Sequence, residues 1–562
     1  MLIRRRPRGR AWPDDDRWNT RPVEARVLAV VRTLTSATRV LDVLTLLRDR
    51  DGIRFYLTVN PGSAFTAGLD AFLRDLPGFT LLDWREATRH RFDLAVACAV
   101  HSSMGRLDAP LIVLPHGAGY NRLVSQSTGD TVTAAGLSRR ELTHRGKAFV
   151  DVLGLSHEEQ LDRLRISCPQ ALPHARVVGD PCFDRMLNSL DARDGYRAAL
   201  GAVDGRRLVV VNSTWSEHSL FGRHPRLPLR LVDRLPADEY AVAVVLHPNI
   251  WARHDPRALL AAAEQSGLRL VPPHRGWQAA LVAADCLIGD HGSVSFYGAA
   301  LERHTLLAAT GAEELDPRSP GYAFGQAAPP LDPDGDLLAQ LEQALAAHDP
   351  AALRPLTDRS LGARGQSARL LRPLLYSHLA RLDEPSDEPR LPPYPVPRPL
   401  PGTPRGPSAY DVEGTVSGSE VALRRYPVGP DHGPARGIYA VAAEEHRLEL
   451  RDVAEVLART EVRAELPAER WLAEAFRSPG LGLAVAALGR SRHLLRLPAG
   501  LLLEARAERP WGAPKPLLDP LLLGAAVALW LHHGSDPATL PQSGLTVRTG
   551  ERRVRVTFTA PP

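Results

Sequence analysis

Short apolar runs alternate with helical patterns along most of the chain. The apolar runs are Val27–Val31, Phe55–Val59, Leu94–Ala99, Leu111–Leu114, Leu208–Val211, Ala241–Leu246, Cys286–Ile288 and Thr305–Ala308. Apolar residues at helical spacing lie between several of these runs, for example over 40–47 and 258–265. Continuous apolar strands that alternate with helices predict parallel sheets covered on both faces. The runs divide into two α/β halves, for which we predict the bounds 22–195 and 196–380.

A proline-rich segment follows the second half. Ten prolines stand between Pro385 and Pro407, and this composition favours extended polyproline II structure that does not pack a core. We therefore predict a semi-rigid linker over 383–409 and a smaller α+β domain of unknown role over 410–562. The patterns in that domain include a buried helix over 521–531 and a closing hairpin that pairs 545–548 with 553–558.

Charge and cysteine content exclude several classes of protein. The 562 residues contain 69 Lys+Arg and 64 Asp+Glu, a net charge of +5, and part of that excess lies in a basic leader over 1–21 that we expect to be disordered. So small an excess does not predict a specific nucleic-acid-binding surface. The four cysteines lack CxxC spacing, which argues against a disulfide scaffold or a zinc site and suits the cytoplasm. The longest apolar stretch, over 520–531, is too short for a membrane-spanning helix, which needs about 20 residues.

The strongest local signal for chemistry is a turn that contains Asp290, His291, Gly292 and Ser293. The pattern around it is strand, tight turn and helix, with Ser295 two residues further on. Free backbone N–H groups at a helix start bind an anion such as phosphate, because the unpaired donors and the helix dipole both favour negative charge. An ordinary N-cap uses the same residue types, so the turn alone leaves both interpretations open.

Polar residues also follow three other predicted strands. His116, with Gly117 beside it, and His247 each come after an apolar run, as do Ser213 and Thr214. Ligand sites of open parallel sheets lie at the carboxyl ends of the strands. A histidine at such a place can take a proton from an attacking hydroxyl. A histidine that only hydrogen-bonds to the backbone at a strand end fits the same pattern.

The order of these motifs resembles the CDP-glycerol glycerophosphotransferase family of teichoic-acid polymerases. Members carry, in order, a His-Gly pair, a Gly-x-Pro-x-x-Asp element, a Pro-Thr-Trp-like segment, a His-Pro pair and an Asp-Tyr-Ser-Ser-like turn. The matching residues in this chain are His116-Gly117, Gly179-Asp180-Pro181 with Asp184, Ser213-Thr214-Trp215, His247-Pro248 and Asp290-His291-Gly292-Ser293. The resemblance covers residues 110–310 and leaves the C-terminal domain unmatched.

The resemblance implies the type B glycosyltransferase (GT-B) fold, in which two Rossmann-like halves face one cleft. It implies a bacterial transferase that moves a glycerophosphate or glycosyl group from CDP-glycerol or a nucleotide sugar to a hydroxyl acceptor. A cell-envelope polymer or a lipid-linked molecule would be that acceptor. Neither a metal nor another cofactor is implied, and the expected location is the cytoplasm, including the inner face of the membrane.

Roles for individual residues follow from the same resemblance. His116 would be the general base, and His247 would add a proton or a positive charge near the donor phosphates. The residues that would bind the donor nucleotide and its phosphates are Ser213, Thr214, Asp290, His291, Gly292, Ser293 and Ser295. The residues that would line the acceptor side of the cleft are Gly117, Asp180 and Asp184.

Departures from the family pattern keep other functions open. The arginine that usually precedes the His-Pro pair is replaced by the run Val-Val-Leu before His247, and the turn at Asp290 carries one hydroxyl fewer. One alternative is a non-catalytic nucleotide-binding or scaffold protein with a degenerate GT-B fold. The other is an enzyme similar to the UDP-sugar 2-epimerases, which share the fold.

Overall fold

Two parallel sheets and a closed barrel follow one another along the chain. The computed structural model describes residues 22–47, 52–63, 68–123, 132–401, 406–429, 432–477, 480–508 and 518–561. The basic leader predicted over 1–21 lies outside these residues. Within the described ranges, no helix is both long enough and apolar enough to cross a membrane.

The first half is built on a seven-stranded parallel sheet. Its strands are β1 (Ala25–Val31), β2 (Ile53–Val59), β3 (Phe79–Leu82), β4 (Leu94–Ala97), β5 (Leu111–Val113), β8 (Val152–Leu155) and β9 (Ala175–Val177), and β6 (Thr143–His144) with β7 (Lys147–Ala148) forms a separate ribbon. The order across the sheet is β3-β2-β1-β4-β5-β8-β9. All of β4 and β5 and nearly all of β1 are buried, as expected for strands covered by helices on both faces.

The second half repeats this architecture with five parallel strands. They are β10 (Arg207–Ser213), β11 (Tyr240–Leu246), β12 (Arg269–Val271), β13 (Cys286–Gly289) and β14 (His304–Leu307), in the order β12-β11-β10-β13-β14. The two sheets confirm the predicted fold class of two Rossmann-like halves.

Helices cover both sheets. Those of the first half are α1 (Leu34–Leu44), α2 (Leu69–Arg74), α3 (Trp84–Ala87), α4 (Arg139–Leu142), α5 (Glu159–Ser167), α6 (Pro181–Leu187) and α7 (Arg193–Ala199). The next are α8 (Leu220–Arg223), α9 (Leu227–Arg234), α10 (Pro248–Arg253), α11 (Pro256–Gln265), α12 (Trp277–Ala283), α13 (Ser293–Ala300), α14 (Pro320–Ala327), α15 (Leu337–Ala346), α16 (Arg354–Asp358) and α17 (Ser367–Tyr376). Although α17 follows the second half in sequence, its Leu371 and Leu375 lie in the core of the first half with Val40 of α1.

The proline-rich segment packs against the protein, which corrects the prediction that it would not. We call residues 391–400 the strap. Leu391 and Tyr394 of the strap are buried; Leu391 belongs to the core of the first half and Tyr394 to the core between the halves. The main chain of Tyr394 accepts a hydrogen bond from Tyr196 and donates one to Ser189 Oγ at 2.9 Å. Proline content predicted the extended backbone but not the two apolar side chains that anchor it.

The C-terminal domain is a closed nine-stranded barrel. Its strands are β15 (Ala409–Ser417), β16 (Glu420–Pro427), β17 (Ile438–Ala442), β18 (Val456–Arg459), β19 (Leu483–Ala487), β20 (Arg492–Arg496), β21 (Leu502–Ala507), β22 (Leu545–Thr549) and β23 (Arg552–Thr559). Its helices are α18 (Leu448–Asp452), α19 (Ala468–Ala475), α20 (Pro520–His532) and α21 (Leu540–Ser543). Helix α20 is apolar on all sides and lies in the core that the barrel strands enclose. The predicted hairpin is confirmed, with Arg548 opposite Arg553.

The barrel is joined to the second half by buried charge. Arg425 of β16 pairs with Asp238, just before β11, at 2.7 Å and with Asp519, just before α20. Its neighbour Arg424 pairs with Glu239 at 2.8 Å. These contacts lie at the amino ends of the strands of the second sheet, so the barrel leaves the carboxyl ends of those strands uncovered.

Candidate functional site

Three neighbouring strands of the second sheet end in candidate residues. In the order β11-β10-β13, His247 follows β11, Ser213 ends β10 and Asp290 follows β13. The carboxyl ends of parallel strands meet at one edge of the sheet. The predicted donor-side residues are therefore neighbours in the structure as well as in the pattern of motifs.

Helix α13 begins at that edge with an open first turn. Its N-cap is Gly292, and among the described residues no side chain caps the turn. The backbone donors of a first turn otherwise need a capping side chain, water or a ligand. Ser293, the first residue of the helix, is half-buried. The geometry is therefore that of a helix start able to hold an anion.

Asp290 shapes this turn, which differs from the predicted contact with a donor. Its buried carboxylate accepts hydrogen bonds from the Ser213 hydroxyl at 2.9 Å and from the backbone N–H groups of Thr214 at 2.9 Å, Leu220 at 2.9 Å and Gly292 at 3.0 Å. Hydrogen bonds from four donors leave the carboxylate little capacity for another partner. Asp290 thus fastens the end of β10 to the start of α13.

The hydroxyls of Ser213 and Ser295 are likewise used inside the protein, against the prediction that they bind donor phosphates. The Ser295 hydroxyl donates to Asn212 Oδ1 at 2.9 Å and accepts from the Asp290 N–H at 3.1 Å. The Ser213 hydroxyl, besides donating to Asp290, accepts from the Phe221 N–H at 2.9 Å. Both serines are buried, so they stabilise the turn from inside the protein.

His291 is also part of the support rather than of the cleft surface. Its side chain is 1% exposed, and its Nε2 lies 2.8 Å from Glu314. Glu314 in turn pairs with Arg122 of the first half at 2.8 Å. A Cβ atom on Gly311 would lie 2.1 Å from the His291 ring, so only glycine fits beside that ring. His291 thereby joins the turn to a charge pair that crosses between the halves.

His116 follows the carboxyl end of β5 and is reached by solvent. Desolvation by the surrounding protein and the positive charge of Arg39 lower the pKa of its imidazole, while a hydrogen bond to the backbone of Cys98 acts in the opposite direction. A carbonyl accepts only from a protonated ring nitrogen, so the other nitrogen of a neutral ring is left as a proton acceptor. His116 therefore has the protonation state of a general base at neutral pH.

The surroundings of His247 favour its neutral form, against the predicted positive charge; the other predicted role, adding a proton, stays a prediction. Burial and the positive charge of Arg122 lower its pKa to about 3. Its Nδ1 accepts a hydrogen bond from the Asn249 N–H at 3.1 Å and caps α10. His247 also lies close enough to His116 for the charge of that ring to lower its pKa. It is able to donate a hydrogen bond through Nε2 but not to supply a charge.

The loop that carries His116 and the start of α13 touch each other across the cleft. A Cβ atom built on Gly117 would lie only 2.6 Å from Ser293 Oγ. In the same region Arg122 donates to Thr214 Oγ1 at 3.3 Å, and its guanidinium stacks 4.1 Å from the centre of the Trp215 ring. Gly117, which follows His116 in the chain, thus lies beside Ser293, and Arg122 of the same loop reaches Thr214.

Asp180 and Asp184 do not behave as acceptor-side ligands. Asp180 caps α6 through the Cys182 and Phe183 N–H groups and accepts from the Tyr297 hydroxyl at 2.6 Å. Asp184 accepts from the N–H groups of Gly365 at 2.7 Å and Ser367 at 2.8 Å. Both carboxylates are buried and hold the connection between the halves.

Sequence reasoning missed Arg39 and Arg122, which both reach from the first half to the second. Arg39 lies on the buried face of α1, where an apolar side chain is usual. That placement within an apolar helical pattern was a usable signal. Arg122 follows His116 by six residues in the same loop, and nothing in its local pattern distinguishes it from a surface arginine. Among the described residues, no group of three or more His, Cys, Asp or Glu is placed to hold a metal ion.

Comparison with known proteins finds similarity in structure alone. No protein-family model and no curated protein matches the chain. The wall teichoic acid polymerase TagF is 14% identical with a TM-score of 0.46, over 64% of this chain and 89% of that one. The UDP-GlcNAc 2-epimerase from Neisseria meningitidis bound to UDP-GlcNAc is 12% identical with a TM-score of 0.39, over 63% of this chain and 100% of that one.

Proposed function

We propose that this chain is a GT-B-type transferase that moves a glycerophosphate or glycosyl group from a nucleotide-diphosphate donor to a hydroxyl acceptor. The observation that carries the proposal is the contact of Gly117 with Ser293. Because Gly117 directly follows His116 in the chain, this contact supports a base close to the uncapped helix start. A base and an anion site that face each other are what a transfer from a phosphate-bearing donor requires.

The proposed step uses His116 as the base. Its free ring nitrogen takes the proton from the acceptor hydroxyl while the acceptor oxygen forms a bond to phosphorus, for glycerophosphate, or to the sugar carbon, for a glycosyl group. The bond from that atom to the nucleotide oxygen breaks, and the electron pair leaves with the nucleotide. The open first turn of α13, with Ser293, stabilises the charge that develops on the leaving group.

A binding experiment tests the donor site first. The purified protein is heated with cytidine, uridine, guanosine and adenosine diphosphates and with their glycerol or sugar conjugates. A ligand at 100 times its dissociation constant stabilises the folded protein by about 2.7 kcal/mol. We expect one nucleotide class to raise the melting temperature, and we expect Ser293→Asp to abolish that rise because a carboxylate at the helix start repels phosphate. No rise with any nucleotide would contradict the proposal.

A turnover experiment tests the base. His116→Ala should lower kcat by about 10²- to 10⁴-fold, the usual contribution of a general base, while the donor still raises the melting temperature. His174→Ala is the matched control. His174 precedes β9 and so lies at the amino ends of the strands, whereas His116 follows the carboxyl end of β5. Donor binding without turnover on a broad acceptor panel would identify a non-catalytic nucleotide-binding protein. Conversion of one nucleotide sugar to its epimer without an acceptor would identify an epimerase.

A further inference from the structure

Arg39 is a buried cation directly behind the His116 loop. The residue is 6% exposed, and its Nε donates to the main-chain carbonyl of His116 at 3.3 Å. Its Nη1 lies 3.6 Å from Asp42 and has no hydrogen-bond partner among the described residues. A guanidinium stays charged in a protein, and burying a charge is costly without strong compensation. The buried charge of Arg39 therefore indicates that this residue has a specific role.

The other side of the same guanidinium faces the second half. It lies 4.9 Å from the centre of the Trp277 ring on α12 and 5.6 Å from that of Tyr297 on α13. Cation–π contacts of this kind strengthen when water is excluded. Tyr297 belongs to the helix whose first residue is Ser293. One side chain therefore contacts both the loop that carries His116 and the helix that carries the proposed phosphate site.

We propose that Arg39 is a positioning residue that holds the His116 loop in register with helix α13 when the two halves are closed. The proposal rests on the proposed function, in which His116 is the base. Arg39 touches neither donor nor acceptor in this scheme. It fixes the main chain of the base and ties that main chain to the helix that binds the phosphates.

The planar guanidinium is needed for this double contact. An arginine offers Nε to a carbonyl while its flat face stacks on aromatic rings, and a lysine ammonium does only one of these at a time. Arg39→Lys should therefore keep the charge and lose the geometry, whereas Arg39→Met should lose both. Misplacing a catalytic group by about 1 Å can cost about 100-fold in rate.

Arg185 provides a matched control in the same buried cluster. It pairs with Asp42, as Arg39 does, and stacks 4.1 Å from the Tyr394 ring. Its remaining described contacts are with carbonyls of the strap. Arg185→Met thus removes a cation from the cluster without touching the His116 loop.

The first measurement does not require activity. Exchange of the C2 hydrogen of His116, followed by peptide mass spectrometry from about pH 4 to about pH 9, reports the titration of that ring alone. Arg39→Met should move the midpoint upward, because a positive charge that disfavours the imidazolium is gone; Arg39→Lys and Arg185→Met should leave it near the wild-type value. The titratable or charged groups that interact with Arg39 or His116 are Asp42, Cys98, Asp180, Cys182, His247, Tyr297 and Tyr394.

The second measurement separates positioning from stability. Arg39→Lys should lower kcat by about tenfold to 100-fold with little change in the donor KM, and Arg185→Met should leave kcat within about threefold of wild type. Equal losses of kcat in Arg39→Lys and Arg185→Met would overturn the proposal. If circular dichroism shows that Arg39→Met does not fold, the kcat of Arg39→Lys alone tests the proposal. Turnover that survives His116→Ala defeats the proposed function, whereas an unmoved His116 midpoint in Arg39→Met defeats only the role of Arg39.

Discussion

Replacing Tyr394 by alanine tests whether the strap is a structural element. Tyr394 is 8% exposed and lies in the core that contains residues of both halves. Its hydroxyl donates to Asp42 Oδ2 at 2.9 Å and lies 3.3 Å from Cys182 Sγ. If a proline-rich segment were only a linker, the change would have no effect on unfolding.

The contacts of Tyr394 set the size of the expected effect. Truncating a buried aromatic side chain to alanine costs about 3–5 kcal/mol in the free energy of unfolding. Tyr394→Phe removes only the hydroxyl, whose hydrogen bond is to a charged partner, and should cost about 1.5–3 kcal/mol. The two variants therefore divide the loss between packing and the hydrogen bond to Asp42.

The assay is urea unfolding followed by tryptophan fluorescence. Because a chain of several domains need not unfold in one step, the first unfolding transition is the one compared between variants. Val396→Ala is the control on the same strap, because Val396 is 55% exposed and its truncation should change stability by less than about 0.5 kcal/mol. A Tyr394→Ala protein as stable as Val396→Ala would refute the reasoning.

Three further predictions concern the base, the turn and the barrel. The pKa of His116 lies below its usual value, and the base must be neutral to act. We therefore expect kcat/KM to persist below about pH 6.5 and to fall only as the pH drops through that lowered pKa. A kcat/KM that already falls with decreasing pH above pH 7 would contradict this. Gly311→Ala places a carbon 2.1 Å from an imidazole ring and should cost about 1–3 kcal/mol more in thermal unfolding than Gly78→Ala, a glycine that also has positive φ but nothing within 4 Å. Arg425→Met removes the buried cation that pairs with Asp238 and Asp519, and it should destabilise the protein by about 3–5 kcal/mol and expose the barrel junction to limited proteolysis. Arg424→Met, at a side chain 40% exposed, should cost only about 0–1 kcal/mol.

The two sheets and the position of the site could be predicted from the sequence. Buried parallel strands have a near-continuous apolar signature, and their carboxyl ends meet at one edge. The apolar runs and the polar residues that follow them therefore suffice to bring the ends of β10, β11 and β13 together at one edge of the second sheet. That the end of β5 in the first sheet faces them across a cleft was implied by the family resemblance. The open turn at Gly292 was part of the same prediction.

The roles of individual side chains could not be predicted, because they depend on long-range contacts. Asp290 has the sequence context of a donor ligand, yet its carboxylate is occupied by the backbone N–H groups of Thr214 and Leu220, about 70 residues earlier in the chain. The pKa of His247 is lowered by burial and by the positive charge of Arg122 of the other half, and neither can be read from the residues next to it in sequence. Barrel closure depends on the parallel pairing of β16 with β22, strands so far apart in sequence that no local pattern connects them.

The strap also decides where the chain can be divided. Leu391 fills the core of the first half, and the main chain of Leu400 donates to the carbonyl of Leu270 in β12 at 2.8 Å. A truncation that ends before residue 383, where composition alone would place the boundary, uncovers apolar surface on the first half and at the junction of the halves. A truncation after residue 401 keeps those surfaces covered and removes only the barrel. The two-sheet unit that is suited to expression without the barrel is therefore 22–401.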